Sequence, residues 1–167
     1  MLTGEALLAE IPRLRRYARA LTGDTARADD LVQDTLERAL VKGRLWRPGN
    51  ARAWLLTMMH NLFVNQIRAA DAVDYRAPED LPEVEVRPQQ QDGIELRELE
   101  HALQRLSPEQ REVLLLVGLE DLSYDEAARV IGAPIGTVMS RLSRARDRLR
   151  QVLAGQAAMP DYLKVVK

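Results

Sequence analysis

Several polar side chains in this 167-residue sequence recur at helical spacing with chemistry suited to binding. Near the C-terminus, Thr137, Met139, Ser140, Arg141, Ser143, Arg144 and Arg146 surround an apolar stripe of Val138, Leu142, Ala145 and Leu149. One side of such a helix packs while the other can reach base edges and phosphates. Arginine can bridge two guanine acceptors, and serine can bond a base or a phosphate. Met139 offers only apolar contact, for example to a thymine methyl. Earlier, Asp30, Gln33, Asp34 and Glu37 form an acidic ridge suited to arginines on a partner. On spacing alone this ridge could equally be a solvated helix face. Thr57, Asn61, Asn65 and Arg68 make a third stripe, of uncharged hydrogen-bonding groups ending in a cation. Asparagine lowers helix propensity, so two of them in one run invite a use.

The elements that must carry these groups are all helical. Leu7, Ile11, Leu14, Ala18 and Leu21 mark a first amphipathic helix, broken by Thr22-Gly23-Asp24. A second covers about 25–42, with Leu31, Val32, Leu36, Ala39 and Leu40 as its apolar side and Gly43 as its end. The turn-rich loop Leu45 to Asn50 leads to a third helix over about 51–70, packed through Trp54, Leu55, Met58, Met59, Leu62 and Phe63. From Asp71 to Gly93 the periodicity disappears among prolines, glutamines and excess acid, the composition of a flexible linker. Helicity resumes near Ile94. Ser107-Pro108-Glu109-Gln110 and Ser123-Tyr124-Asp125-Glu126 are capping boxes that open two further helices. A capped short helix, a turn containing Gly132 and an arginine-studded helix have the order of a helix-turn-helix DNA reader. An arginine-rich helix standing alone would read as a solvated face.

Bulk composition limits the alternatives. Aromatics are only 4% of residues against 46% hydrophobic, so the cores are aliphatic, which favours helix over sheet. The net charge of −1 hides segregation: residues 1–70 carry +4, residues 71–100 carry −7 and residues 101–167 carry +2. Absence of cysteine excludes disulfides and thiolate metal sites. The two histidines, His60 and His101, lie far apart, so no metal or other cofactor is expected. No apolar run reaches the roughly 20 residues that span a bilayer. A soluble, cytoplasmic chain without membrane insertion is expected.

Leu106 to Leu114 and Gly136-Thr137-Val138 with Ser140-Arg141-Leu142 and Arg144-Ala145-Arg146 resemble the C-terminal domain of extracytoplasmic-function (ECF) sigma factors of bacterial RNA polymerase. Asp29 to Asp34 and Arg52-Ala53-Trp54-Leu55 resemble the first domain of the same family. The resemblance implies an all-α fold of two small domains. Residues 1–70 would bind polymerase and the −10 element with three or four helices. Residues 94–155 would be the helix-turn-helix domain for the −35 element, with 71–93 as a flexible acidic linker and 156–167 as a tail. It implies that Asp30, Gln33, Asp34 and Glu37 meet core RNA polymerase. Trp46, Arg47, Asn50, Arg52, Thr57, Asn61, Asn65 and Arg68 would contact −10 DNA, where a base flipped from the strand is held by the loop before the third helix. Trp46 could instead be a hydrophobic plug, and Ala51 stands where some members carry an aromatic side chain. Thr137, Met139, Ser140, Arg141, Ser143, Arg144 and Arg146 would contact −35 DNA. An anti-sigma protein is a further partner implied by the family.

Two other functional classes compete with this expectation. A stand-alone helix-turn-helix regulator would bind a palindromic duplex as a dimer, leaving the acidic ridge and the asparagine stripe without purpose. An enzyme would need a catalytic arrangement, and no P-loop, nucleophile elbow or metal cluster is present in the sequence.

Overall fold

The computed structural model describes residues 3–46, 49–73 and 91–158. Seven α-helices run through them: α1 (Gly4–Thr22), α2 (Thr25–Lys42), α3 (Ala51–Val73), α4 (Gln91–Gln104), α5 (Pro108–Gly118), α6 (Tyr124–Ile131) and α7 (Ile135–Ala158). The expected linker, apart from its helical ends at 71–73 and 91–93, and the last nine residues of the expected tail lie outside the described residues.

Local chemistry sets most helix ends. Thr3 caps α1 by accepting from the Ala6 amide, and Asp24 caps α2 by accepting from Ala26. Between them Gly23 adopts φ 72° and returns its N–H to the Arg19 carbonyl. A side chain at Gly23 would also collide with Gln104 of α4. Both capping boxes form as expected, at Ser107/Gln110 and Ser123/Glu126. Gly132 ends α6 in the left-handed region at φ 65°. Gly43 behaves differently from the expected stop. It is right-handed, and the chain tightens into a 3₁₀ turn over Gly43–Leu45 before leaving at Trp46.

The N-terminal module packs α1, α2 and α3 through Leu14, Tyr17, Leu21, Leu31, Leu55 and Met59, all essentially inaccessible to water. The C-terminal module packs α5, α6 and α7 through Val113, Leu116, Ala127, Val138, Leu142 and Ala145. Leu40, expected on the packed side of α2, is instead 67% exposed. Ala39 takes the buried position, and Leu40, Val41 and Leu45 are all left at the surface. Helical periodicity marks an apolar position without showing whether a neighbour covers it.

The two modules are in contact, which their periodicities did not signal. α1 meets α4 and α5, and α3 meets α6. The joint centres on Arg111, which is 8% exposed. Its Nη1 donates to the Leu21 carbonyl at 2.7 Å, in the last turn of α1. Its Nε donates to Leu103 at 2.9 Å and its Nη2 to Leu106 at 3.1 Å, at the end of α4 and the turn beyond. Gln104 adds a bond to the Ala20 carbonyl at 3.1 Å. Helix C-termini present unpaired carbonyls and partial negative charge, so one guanidinium satisfies both modules at once. Arg111→Ala is expected to lower unfolding free energy by roughly 2–4 kcal/mol, because buried acceptors lose a charged donor. Arg111→Lys should recover only part of that, since a compact ammonium cannot span both helix ends. Urea unfolding checks this, and a loss under about 0.5 kcal/mol for the alanine variant would contradict the role.

Candidate nucleic-acid interface

Packing of α7 onto α5 and α6 decides which of its side chains can reach a ligand. Val138, Leu142 and Ala145 are buried and Leu149 half-buried, as the stripe requires. Met139, Ser140, Ser143, Arg144 and Arg146 are exposed on the remaining surface. Thr137 is half-buried, and its carbonyl accepts from the Ser140 hydroxyl at 3.2 Å. Arg141 is turned aside, half-buried with Nη2 3.9 Å from Glu109 of α5. Met139, Ser143, Arg146 and Arg150 share an open groove of about 350 Å³ with Tyr124, in the first turn of α6. Half exposed, Met139 adds an apolar patch to a cationic wall.

The acidic ridge is fully presented. Asp30, Gln33, Asp34 and Glu37 are all exposed on α2, and Gln33 donates to Glu37 at 3.2 Å. Asp34 and Glu37 border a hollow of about 430 Å³ with Val41, Lys42 and Leu62. Carboxylates therefore stand beside exposed aliphatic side chains, a combination that suits an amphipathic partner surface.

The third set is divided. Asn61, Asn65 and Arg68 are exposed along α3. Thr57 is half-buried and spends its hydroxyl on the Ala53 carbonyl at 2.8 Å. Trp46 is half-buried against the core, and Arg47 lies outside the described residues. Asn50 caps α3 by accepting from the Ala53 amide at 3.2 Å, while its Nδ2 donates to Glu126 of α6 at 3.2 Å. Arg52 points its Nε at Glu10 of α1, 3.4 Å away, and lies 3.9 Å from Glu120. Asn50 and Arg52 are thus engaged with carboxylates, two of them on the C-terminal module.

Sequence reasoning missed the groups on the other side of this contact. His60 of α3 lies 2.7 Å from Glu112 of α5 through Nδ1. Glu112 and Glu120 are 4% and 2% exposed. Both Glu120 oxygens are buried with no hydrogen-bond partner among the described residues. Burial raises the Glu120 pKa above the ordinary carboxylate value, opposed by Arg13, Arg52 and Arg16 and reinforced by Glu10. Tyr17 is wholly buried nearby, and burial, then Glu112 and Glu120, push its phenol well above its usual pKa. The readable signal was a carboxylate on an apolar face: Glu112 sits four residues before the buried Leu116.

Residues 7–60, covering α1, α2 and the first part of α3, match the family described as the Sigma2 domain of PhyR. Residues 96–149 match Sigma-70, region 4. ECF RNA polymerase sigma factor EcfG of Rhodopseudomonas palustris is 40% identical over 153 residues, spanning 88% of this chain and 82% of that protein. The chain belongs to the ECF sigma factors. ECF sigma factor RpoE of Cereibacter sphaeroides is 30% identical over 88% of this chain and 86% of its own length. Among solved structures, the sigma factor RpoE of Bartonella quintana, in complex with the anti-sigma factor NepR, superimposes with a TM-score of 0.78. It is 38% identical, and the match covers 89% of this chain and 94% of that one. The two matched stretches of the sigma factor fall on the two helical modules, with the undescribed residues 74–90 between them. No described helix is long and apolar enough to cross a membrane.

The buried carboxylate gives this sigma factor a pH signature. A raised pKa in the packed state means that charging Glu120 opposes packing, a penalty present at neutral pH and relieved as pH falls through the raised pKa. Glu120→Gln should therefore be more stable than the parent at pH 7, with the difference shrinking as pH approaches 4.5. Thermal melts of both proteins across that range check it, and a constant difference would refute it.

Proposed function

We propose that this ECF sigma factor binds core RNA polymerase through the acidic ridge of α2, reads the −10 element with α3 and its preceding loop, and reads the −35 element with α7. It promotes melting by binding energy alone: contacts to unpaired bases offset unstacking. The observation that best supports this reading is the outward presentation of two unlike polar faces on separate modules. The ridge of Asp30, Gln33, Asp34 and Glu37 would repel DNA and attract a basic protein surface, whereas the Ser140, Ser143, Arg144 and Arg146 face is suited to a duplex groove. By analogy with the NepR complex of the Bartonella relative, an anti-sigma protein of similar kind is proposed as a partner here. The work is cytoplasmic, where polymerase and promoter are found.

Run-off transcription with purified core polymerase on candidate promoters tests the whole reading. Stimulated, promoter-specific initiation is expected, and duplex binding without any initiation would overturn it. Asp34→Arg reverses a charge at an exposed position and should abolish core binding while leaving the melting temperature within about 2 °C. Unchanged affinity for core would remove α2 as the docking face. Arg144→Ala should weaken holoenzyme binding to a −35 duplex by about 1–3 kcal/mol if it reads a base, or lower the salt slope by about 1 if it contacts phosphate. If neither change appeared, Arg144 would be excluded from the DNA interface.

A further inference from the structure

The side chains of α7 expected at −35 DNA do not lie on one surface. Thr137, Ser140 and Arg144 follow at spacings of three and four, on the flank where Arg141 turns to Glu109 of α5. Met139, Ser143 and Arg146 follow at spacings of four and three on the opposite flank, which faces Tyr124 in the first turn of α6. Only this second row carries a large apolar side chain, and it opens onto the groove of about 350 Å³.

An exposed methionine standing singly is ordinary. Met139 is 50% exposed yet does not stand alone, since it shares the groove with Tyr124 and Leu142. We propose that Met139 fixes the identity of one thymine in the −35 element by seating that base's 5-methyl group in the groove between α6 and α7. This rests on the promoter-reading function proposed above.

The chemistry of base edges selects thymine. In the major groove its edge alone carries an apolar group, whereas the others present ring nitrogens, a carbonyl or amino groups. A thioether donates nothing and accepts weakly, so against those polar edges it would displace water and return no bond. Its three rotatable bonds let it settle on a methyl group where one is present. Ser143 borders the same groove one turn further on, and its hydroxyl has no hydrogen bond among the described residues. It can donate to the O4 acceptor beside that methyl. Ser140 cannot serve in this way, because its hydroxyl already donates to the Thr137 carbonyl.

Position along the helix agrees. Met139 is the fifth residue of α7, in the N-terminal stretch with which such a helix meets base edges. Arg146 lies roughly 10 Å further along the axis, against a major groove about 12 Å wide. Arg146 is exposed and has no ion pair among the described residues, so it can hold a phosphate at the rim while Met139 faces the bases.

The test begins with a −35 duplex selected from random sequence by holoenzyme containing the full chain. Each thymine in it is then replaced in turn by deoxyuridine, which lacks only the 5-methyl group. Replacement at one position is expected to weaken holoenzyme binding about three- to fivefold, the worth of one buried methyl group. Met139→Ala should bind the selected duplex more weakly by a similar factor and lose the response to deoxyuridine at that position alone. Met139→Arg should change the preferred base there to guanine, through its O6 and N7 acceptors. Both substitutions fall on an exposed side chain, and thermal melts confirm that each variant remains folded. If Met139→Ala kept the parent's response at every position, or if no position responded, the thymine contact would be overturned while −35 binding itself stood. If the holoenzyme selected no −35 sequence at all, the promoter-reading function would fall and the thymine contact with it.

Discussion

A guanidinium withdrawn from water must recover its hydration from fixed acceptors, and Arg111 does so from the exposed ends of two helices. Carbonyls at the close of a helix lack i+4 partners and carry partial negative charge; Leu103 accepts a backbone N–H from Leu106 at 3.1 Å and has a lone pair left for Arg111. Arg111 reaches Leu21 on one side and Leu103 and Leu106 on the other. Among the described residues its partners are carbonyls rather than carboxylates, so the bond geometry and not charge pairing fixes the joint. The placement of α5 against α1 follows from it, and with α5 come α6 and α7. The relation between the polar faces of the two modules in this state depends on that side chain, together with Gln104 on Ala20 and His60 beside Glu112.

That joint explains why the polar residues of α3 divide into two groups. Asn61, Asn65 and Arg68 lie along the part of the helix left exposed and remain available to a ligand. Asn50 and Arg52 lie at its head, where the C-terminal module arrives, and are drawn onto carboxylates. One helix thus carries a free segment and an engaged segment. A ligand that needed both would have to compete with Glu126 and Glu120 for the second.

The features legible in the sequence are those decided within a few residues. Both capping boxes, the left-handed glycines at 23 and 132 and the stripe of Val138, Leu142 and Ala145 follow from local hydrogen bonding and helical period. The acidic ridge was legible as a ridge because its four side chains are exposed. Leu40 was not, because an apolar side chain on an amphipathic helix reads the same whether it faces a core or an absent partner. Gly43 was half legible: α2 stops there, yet by tightening into a 3₁₀ turn, an outcome that glycine's permissiveness allows but does not specify. The contact between modules was illegible for a different reason. His60 and Glu112 are 52 positions apart, and Arg111 and Leu21 are 90 apart. Pairing over such separations leaves no period to detect.

What remains readable in such a contact is its cost. Arg111, Glu112 and Glu120 are charged residues at buried positions, and charged residues are rarely buried without partners. Two of the three find them, Arg111 in carbonyls and Glu112 in His60. The third has no hydrogen bond among the described residues and relies on cations at longer range, Arg52 at 3.9 Å with Arg13 and Arg16 beyond it. A buried carboxylate without a hydrogen bond, at an interface whose other charged groups are satisfied, therefore leaves the joint below the stability that a well-packed apolar residue there would give.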